Sequence, residues 1–263
     1  MKLPVALTIA GSDSGGGAGI QADLKTFAAL GVHGASAITA ITAQNTVTVK
    51  DILELPPALI RAQIDAVVDD LGVEAAKTGM LASATIIETV AAAVRDHGIR
   101  NLVVDPVMVA KGGARLLRDD AVEALRLELL PLAAVITPNL PEAEVLLGHR
   151  LATRAEHQSG ARELLELGPK AVVVKGGHAK GAESIDVYFD GGELVELRAR
   201  RIPTSNTHGS GCVFSAAIAA GLARGEAPLQ AVRNAKDFIT AAIERSIEVG
   251  RGHGPVNPMA KVS

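Results

Sequence analysis

The sequence NTHGSGC, at residues 206–212, combines two glycines with the only cysteine of the chain, and an apolar run that predicts a helix comes directly after it. Gly209 and Gly211 would let backbone N–H groups converge on one point. A helix beginning near Ser210 would direct its free N–H groups and the positive end of its dipole at the same point. The stretch therefore predicts an anion-binding turn.

Cys212 would lie in the first turn of this helix, where the dipole is expected to lower the pKa of a thiol from its usual value near ~8.5. A free cysteine is as often a small apolar residue buried under a turn. A third interpretation, an acyl-transfer nucleophile, lacks histidine and asparagine partners at a spacing typical of such enzymes. The residues alone leave the first two interpretations open.

Polar residues also follow several predicted strands. Asp105 ends an apolar run, where it could cap the strand end or orient Mg²⁺ and phosphate. Asn139 and Glu142 form an N-x-x-E pair that would cluster on the first turn of a helix, although such a pair is equally typical of an ordinary capping box. Lys175 ends another strand, and a strand-end lysine is rarely a core residue because a buried ammonium is costly unless it is paired.

The glycine-rich stretch GSDSGGGAGIQAD, at residues 11–23, follows a predicted strand and opens a helix. It matches a dinucleotide-binding fingerprint weakly, because the second strand ends in TAQN without the required acidic residue. A G-x-x-x-x-G-K-[ST] motif is absent from the sequence, so phosphates would be bound in another way. The glycines favour a turn that lets the backbone approach a ligand closely over a merely tight turn.

Short β-branched runs alternate with longer Ala/Leu-rich runs along the chain, which indicates βα units. Predicted strands lie at residues 5–10, 35–42, 74–78, 101–105, 133–137 and 171–175. They are apolar throughout, which is typical of a parallel sheet covered on both faces. Predicted helices end at Gly31, Gly98 and Gly168. Residues 184–202 predict an antiparallel hairpin. We expect one three-layer αβα domain over residues 1–263, with ligands bound outside the carboxyl ends of the strands.

Composition excludes several classes of protein. The 263 residues are 48% hydrophobic and 21% charged, which is typical of a globular chain. A net charge of -3 argues against a general nucleic-acid binder. No apolar run reaches the ~18–20 residues that span a bilayer, and the first residues do not resemble a signal peptide. One cysteine cannot form an internal disulfide, so we expect a cytoplasmic protein.

Seven motifs occur in order across most of the chain: GSDSGGGAGIQADLKTF, ITAQNT, KTGML, DPVM, TPNLPEAE, VKGGH and NTHGSGC. Together they resemble the hydroxymethylpyrimidine/phosphomethylpyrimidine kinases of thiamine biosynthesis, within the ribokinase-like superfamily. The resemblance implies a ribokinase-like αβα fold with a central, mostly parallel sheet, usually as a homodimer. It implies transfer of the ATP γ-phosphoryl group to the hydroxymethyl of 4-amino-5-hydroxymethyl-2-methylpyrimidine, and a second transfer onto that monophosphate to give the pyrophosphate.

The resemblance also implies roles for residues of the phosphate site. The transferring phosphoryl group would be held by the backbone of Gly209, Ser210 and Gly211. Cys212 takes the position at which most sugar-kinase relatives carry a catalytic aspartate, so the identity of the base stays open. The ATP phosphates would be bound by Lys175, Asn139 and Thr207. Mg²⁺ would be organised by Asp105 and Glu142, and K⁺ is an optional second ion.

Gln44 matches the family residue that binds the pyrimidine edge. A primary amide can donate to a ring nitrogen and accept from the 4-amino group at once. The resemblance implies that Asp23, Met80 and Val107 complete the substrate pocket.

Two alternatives to this function stay open. A pyridoxal or pyridoxine kinase would share the fold, but pyridoxal lacks a 4-amino group, so Gln44 favours a pyrimidine. A non-catalytic pyrimidine-binding protein is a remote alternative, because the predicted phosphate and metal residues occur together. The segment at residues 112–120 contains glycines and charges and is a candidate lid.

Overall fold

The computed structural model describes residues 3–109, 116–178 and 181–260. Within these residues, nine strands form one sheet in the order β3-β2-β1-β4-β5-β6-β7-β8-β9. The strands are β1 (Val5–Asp13), β2 (His33–Gln44), β3 (Val49–Glu54), β4 (Ala75–Thr78), β5 (Leu102–Val104), β6 (Val135–Ile136), β7 (Val172–Val174), β8 (Glu183–Phe189) and β9 (Leu194–Arg200).

Eight α-helices cover the two faces of this sheet in the described part of the chain. They are α1 (Gly19–Ala29), α2 (Pro57–Leu71), α3 (Ala84–Asp96), α4 (Asp119–Ala124), α5 (Leu140–Leu147), α6 (Arg154–Leu165), α7 (Ser210–Ala223) and α8 (Pro228–Glu244). Helix α4 continues into a π-helical turn at Leu125–Leu129 and a 3₁₀ turn at Leu130–Leu132. None of the described helices is both long enough and apolar enough to cross a bilayer.

Two hydrophobic clusters separate the layers, one on each face of the sheet. Leu7 and Ile9 of β1 belong to the cluster that includes α2, α3, α5 and α6, whereas Ala6 belongs to the cluster that includes α1, α7 and α8. Successive residues of a strand point to opposite faces, so a strand that is covered on both sides is apolar throughout. The predicted three-layer αβα fold is confirmed.

The core of the sheet is parallel, as the alternation of predicted strands and helices indicates. β1, β2, β4, β5, β6 and β7 are parallel to their neighbours within this core, and β8 and β9 form the predicted antiparallel hairpin. β3 is an additional antiparallel strand next to β2 that the sequence patterns do not predict. Its residues are exposed or half-buried and include Lys50 and Asp51, so it lacks the apolar run of a covered strand.

The parallel strands end at the same edge of the sheet, and the loops after these strands are gathered there. This edge carries the residues that the sequence singles out. Of the candidate lid at residues 112–120, positions 112–115 lie outside the described residues.

Candidate active site

A cavity of about 730 Å³ opens at the carboxyl ends of the parallel strands. With one exception, every predicted site residue contributes to its wall. These residues are Gln44, Met80, Asp105, Val107, Asn139, Glu142, Lys175, Thr207, Gly209, Ser210, Gly211 and Cys212. The exception is Asp23. The fold thus brings together residues from six different loops and helix starts, as the parallel topology requires.

The predicted anion-binding turn has the expected conformation. Gly209 has φ +76 and immediately precedes α7, and a Cβ at this position would collide with the carbonyl oxygen of Gly17. Within the described residues, no side chain caps the start of α7. A Cβ at Gly211 would lie 3.3 Å from Nζ of Lys175, so backbone and ammonium are close neighbours. The free N–H groups of α7 and a lysine therefore face one region of the cleft.

Asp105 and Lys175 form an ion pair at the floor of the cleft, with Nζ 2.8 Å from Oδ1. Thr137 donates a hydrogen bond to the same oxygen at 3.2 Å. Burial alone would raise the pKa of Asp105, but the charges of Lys175 and Lys77 outweigh it and lower that pKa. Burial alone would lower the pKa of Lys175, and the carboxylates of Asp105 and Glu142 raise it instead. Both groups are therefore charged near neutral pH.

Asn139 and Glu142 form a complete capping box at the start of α5. Oδ1 of Asn139 accepts from the N–H of Glu142 at 2.9 Å, and Oε2 of Glu142 accepts from the N–H of Asn139 at 2.8 Å. The capping interpretation is confirmed, yet both residues also line the cleft. Burial raises the pKa of Glu142 to about 7, against the opposing charge of Lys175.

The donor set fits a magnesium ion. Asp105 and Glu142 both offer carboxylate oxygens to the cleft, and the charge of Asp105 acts on Glu142; oxygen is the ligand that Mg²⁺ prefers. Across the described ranges, no group of three or more His, Cys, Asp or Glu side chains is arranged to hold a metal ion. Two carboxylates suit Mg²⁺, which commonly takes one or two from the protein and completes its shell with phosphates and water.

Of the two interpretations left open for Cys212, the structure fits the small packed residue and not the thiol of lowered pKa. Burial raises its pKa to about 11, although the nearby charge of Lys77 acts in the opposite direction. The predicted lowering by the helix dipole is wrong here, because desolvation of the thiolate outweighs it. The side chain also packs against the apolar cluster around α7. Cys212 is thus a protonated thiol that both lines the cleft and contributes to packing.

Asp23 lies beneath the cleft rather than in its wall. Its carboxylate is fully buried, forms an ion pair with Nζ of Lys77 at 2.9 Å and accepts from Oγ1 of Thr8 at 2.7 Å. The expectation that it completes the substrate pocket is therefore corrected: it positions Lys77, which does line the cavity. Burial would lower the pKa of Lys77, but Asp23, Cys212 and Asp105 raise it above its ordinary value.

Lys77 is a cleft residue that the sequence patterns do not single out. It lies in the motif KTGML, within a strand whose four residues are all buried. A lysine in such a strand signals a buried partner, since an unpaired buried ammonium is costly. The sequence carries that signal, but it does not identify Asp23 as the partner.

Asp13 and His208 form a second polar pair that sequence reasoning missed. Oδ2 of Asp13 lies 2.9 Å from Nε2 of His208, and both side chains are buried. The same carboxylate accepts from the backbone N–H groups of Gly15, Gly17 and Ala18 at 2.8 to 3.1 Å. The glycine-rich turn after β1 is thereby joined to the turn before α7.

A third missed pair, Lys236 and Asp186, lies toward β8 and α8. Nζ of Lys236 is 2.8 Å from Oδ2 of Asp186, whose Oδ1 accepts from the N–H of Gly176 at 2.8 Å. Both side chains line the same cavity. The pair connects the turn after β7 with α8, at the end of the cleft remote from Gln44.

A family model and the relatives found by sequence agree on one family. The family model described as phosphomethylpyrimidine kinase matches residues 13–257. The chain is 55% identical to the hydroxymethylpyrimidine/phosphomethylpyrimidine kinase of Rhizobium meliloti (strain 1021), over 96% of each protein. It is 52% identical to the protein of the same name from Haemophilus influenzae, over 97% of this chain and 96% of that relative.

Solved structures show the same fold. The ADP complex of Bacillus subtilis pyridoxal kinase superposes with a TM-score of 0.92 at 43% identity, covering 98% of both chains. Phosphomethylpyrimidine kinase from Clostridium difficile 630 superposes with a TM-score of 0.81 at 44% identity, covering 91% of this chain and 99% of that one.

Proposed function

Because this chain belongs to the phosphomethylpyrimidine kinase family, we propose that it transfers the γ-phosphoryl group of ATP to 4-amino-5-hydroxymethyl-2-methylpyrimidine. A second transfer onto the resulting monophosphate gives the pyrophosphate, for thiamine biosynthesis. One observation carries the proposal: the same cavity contains an amide suited to an aminopyrimidine, Gln44, and the uncapped start of α7 preceded by Gly209.

The substrate end of the cleft is formed by Gln44, Met80 and Val107. Gln44 binds the pyrimidine edge, and the two apolar side chains bound the ring. The ring's hydroxymethyl group is then directed toward the turn at Gly209 and Cys212. This arrangement holds the attacking oxygen near the phosphoryl group, and such positioning provides much of the rate in phosphoryl transfer.

The phosphate end stabilises negative charge with fixed groups. Gly209 and Gly211 direct backbone N–H groups at the transferring phosphoryl group, while Lys175, Asn139 and Thr207 bind the ATP phosphates. The N–H predicted for this role at Ser210 is corrected: it donates to the carbonyl of Thr207 at 3.2 Å and closes the turn. Lys77 adds a second buried positive charge near Cys212. Donors and charges that are already in place need no reorganisation as the transition state forms.

Asp105 and Glu142 would hold Mg²⁺, which when bound neutralises phosphate charge and polarises the γ-phosphoryl group. Cys212 would lie beside the attacking hydroxyl as a protonated thiol, which can hydrogen-bond but cannot take up the proton that the alcohol loses. That proton would pass to an oxygen of the transferring phosphoryl group as the new O–P bond forms. We also propose that K⁺ is required for activity. Replacing K⁺ with Na⁺ in an assay of ADP release tests this requirement.

We further propose a cytoplasmic homodimer in which all 263 residues form one kinase domain. One sheet connects the described elements, which supports a single domain. Ile41 and Leu53 are paired across β2 and β3 and remain exposed at 46% and 63%, which supports a partner surface at this edge.

Pyridoxal kinase activity is the second candidate function. It is favoured by the solved structure with a TM-score of 0.92, which is named as a pyridoxal kinase. The relatives at 52% and 55% identity are named for pyrimidine substrates instead. Membership of a kinase family leaves no observation in favour of the non-catalytic binding protein.

The proposal is tested by ADP release from MgATP with three separate acceptors: hydroxymethylpyrimidine, its monophosphate and pyridoxal. Turnover with the first two acceptors is expected. Turnover with pyridoxal alone would still support the proposed phosphate site, but it would overturn the assignment of Gln44 to the edge of an aminopyrimidine. Absence of turnover with every acceptor would overturn the proposed activity.

A further inference from the structure

The amide of Gln44 lies between two polar side chains at the substrate end of the cleft. Its Nε2 is 3.4 Å from Nε2 of His208, and its Oε1 is 3.2 Å from Oγ1 of Thr42. A half-turn of a primary amide exchanges its oxygen and nitrogen with almost no change in shape. The hydrogen-bonding capacity of the two neighbours therefore decides which end of the amide faces which neighbour.

On the His208 side, Asp13 determines where the ring proton lies. Burial alone would raise the pKa of Asp13, but the bonds from His208 and from the N–H groups of Gly15 and Ala18 outweigh it and lower that pKa. An ionised carboxylate only accepts, so Nε2 of His208 must carry the proton that bonds it at 2.9 Å. A protonated Nε2 has no lone pair left and repels the N–H groups of an amide.

On the Thr42 side, the single hydroxyl proton already has a shorter partner. Oγ1 of Thr42 donates to the backbone carbonyl of Ser12 at 3.0 Å. Its remaining lone pairs can accept a hydrogen bond from an amide nitrogen. Both neighbours therefore favour the same orientation of the Gln44 amide, by independent arguments.

We propose that the amide oxygen of Gln44 faces His208 and its nitrogen faces Thr42, and that Asp13 is a positioning residue that sets this order through His208. One lone pair and one N–H then remain open to the cleft. A ligand must offer a donor on the His208 side and an acceptor on the Thr42 side. An aminopyrimidine meets this order with its amino group toward His208 and its ring nitrogen toward Thr42, an identification that rests on the proposed function.

The kinetic test compares Asp13→Asn in two backgrounds. An asparagine side chain both donates and accepts hydrogen bonds, so it no longer requires a proton on Nε2 of His208. The Gln44 amide can then adopt either orientation of its oxygen and nitrogen. In the native background we expect KM for hydroxymethylpyrimidine to rise roughly tenfold while KM for ATP is unchanged. In a Gln44→Met background, Asp13→Asn should change KM for hydroxymethylpyrimidine less than about twofold.

Equal effects of Asp13→Asn in both backgrounds would overturn the proposal, since they would show that Asp13 only stabilises the turn. Asp190→Asn is the matched control. Oδ1 of Asp190 likewise accepts from two backbone N–H groups, those of Gly192 and Glu193, in the hairpin between β8 and β9 and outside the cavity wall. This control should leave both KM values unchanged.

A measurement on the unaltered protein keeps the test independent of folding and of activity. Nitrogen-15 NMR of the histidine rings, with His208 assigned by its loss in His208→Asn, distinguishes protonated from bare ring nitrogens. A protonated Nε2 is expected, and a bare Nε2 would overturn the proposal. Failure of the proposed function would instead appear as absent turnover with hydroxymethylpyrimidine, whatever the NMR result.

Discussion

At the scale of single residues, the charges of Asp105 and Lys77 are buried at the floor of the cleft, and Lys175 lies beside Asp105 with its side chain 15% exposed. Asp105 interacts with both lysines, so each cation helps to keep the carboxylate ionised. Removing one partner of a buried pair leaves the other charge uncompensated, which costs more than the pair contributes. Asp23 pairs with Lys77 and Asp105 pairs with Lys175, so each lysine is held in place beside the proposed phosphate site.

Lys175→Met should lower kcat by roughly 100-fold or more, because it removes a fixed positive charge from the phosphoryl site. Steady-state ADP release measures the effect, with circular dichroism to confirm the fold. Lys170→Met is the matched control, since Lys170 is exposed just before β7. Comparable losses in the two variants would contradict the role of Lys175.

Alkylation of Cys212 by iodoacetamide should be slow at pH 8 and should still accelerate as the pH approaches 11. A thiol whose pKa is about 11 is ionised to only roughly one part in a thousand at pH 8. Since the chain has one cysteine, the rate reports this site alone. The same reaction in denaturant should level off near the ordinary thiol pKa, and a plateau near that pH in the folded protein would contradict the burial argument.

At the scale of elements, the capping boxes of α5 and α6 use the same chemistry in opposite surroundings. Glu142 caps α5 from a buried position in the cleft, and its pKa is raised to about 7. Glu156 caps α6 at the surface, and its bonds to Thr153 and Ala152 lower its pKa. A carboxyl group whose pKa is raised by folding stabilises the folded protein at pH values below the pKa that it has in the unfolded chain. That stabilisation is lost as the pH rises from this value toward the raised pKa in the folded protein.

The free energy of unfolding of Glu142→Gln should therefore increase relative to that of the native protein as pH rises from 5 to 8. The shift in relative unfolding free energy should be on the order of 2 kcal/mol, since glutamine has no charge to desolvate. Urea unfolding at both pH values measures it. Glu156→Gln should show no comparable change, because its lowered pKa keeps Glu156 ionised across this window. Equal pH dependence in the two variants would contradict the account.

Gly209→Ala should destabilise the protein by more than about 2 kcal/mol and abolish turnover. The residue adopts φ +76, and an added Cβ would also collide with the carbonyl of Gly17. Gly225→Ala is the matched control, because Gly225 has φ +84 but nothing within 4 Å of an added Cβ. It should cost only about 1 kcal/mol and keep activity. Similar losses in both variants would show that strain alone matters at Gly209.

At the scale of the whole molecule, the sequence predicts the features that depend only on which residue ends each parallel strand. Asp105 and Lys175 could be placed in one site because parallel strands end at one edge. Asp23 could not be placed correctly, since its helix position does not show which face of α1 is turned toward Lys77. The pairing of Asp13 with His208 joins residues 195 positions apart, and only the fold brings them together. The direction of the Cys212 pKa shift depends on burial depth, which a motif does not encode.

The central claim is that one cleft phosphorylates a pyrimidine alcohol and then its monophosphate. Phosphorus-31 NMR of the purified protein with MgATP and hydroxymethylpyrimidine monitors both steps in one sample. The account predicts a phosphate monoester signal that appears first and is then converted to a pyrophosphate signal, with ATP consumed in each step. The absence of any phosphorylated pyrimidine, while pyridoxal is phosphorylated under the same conditions, would contradict it.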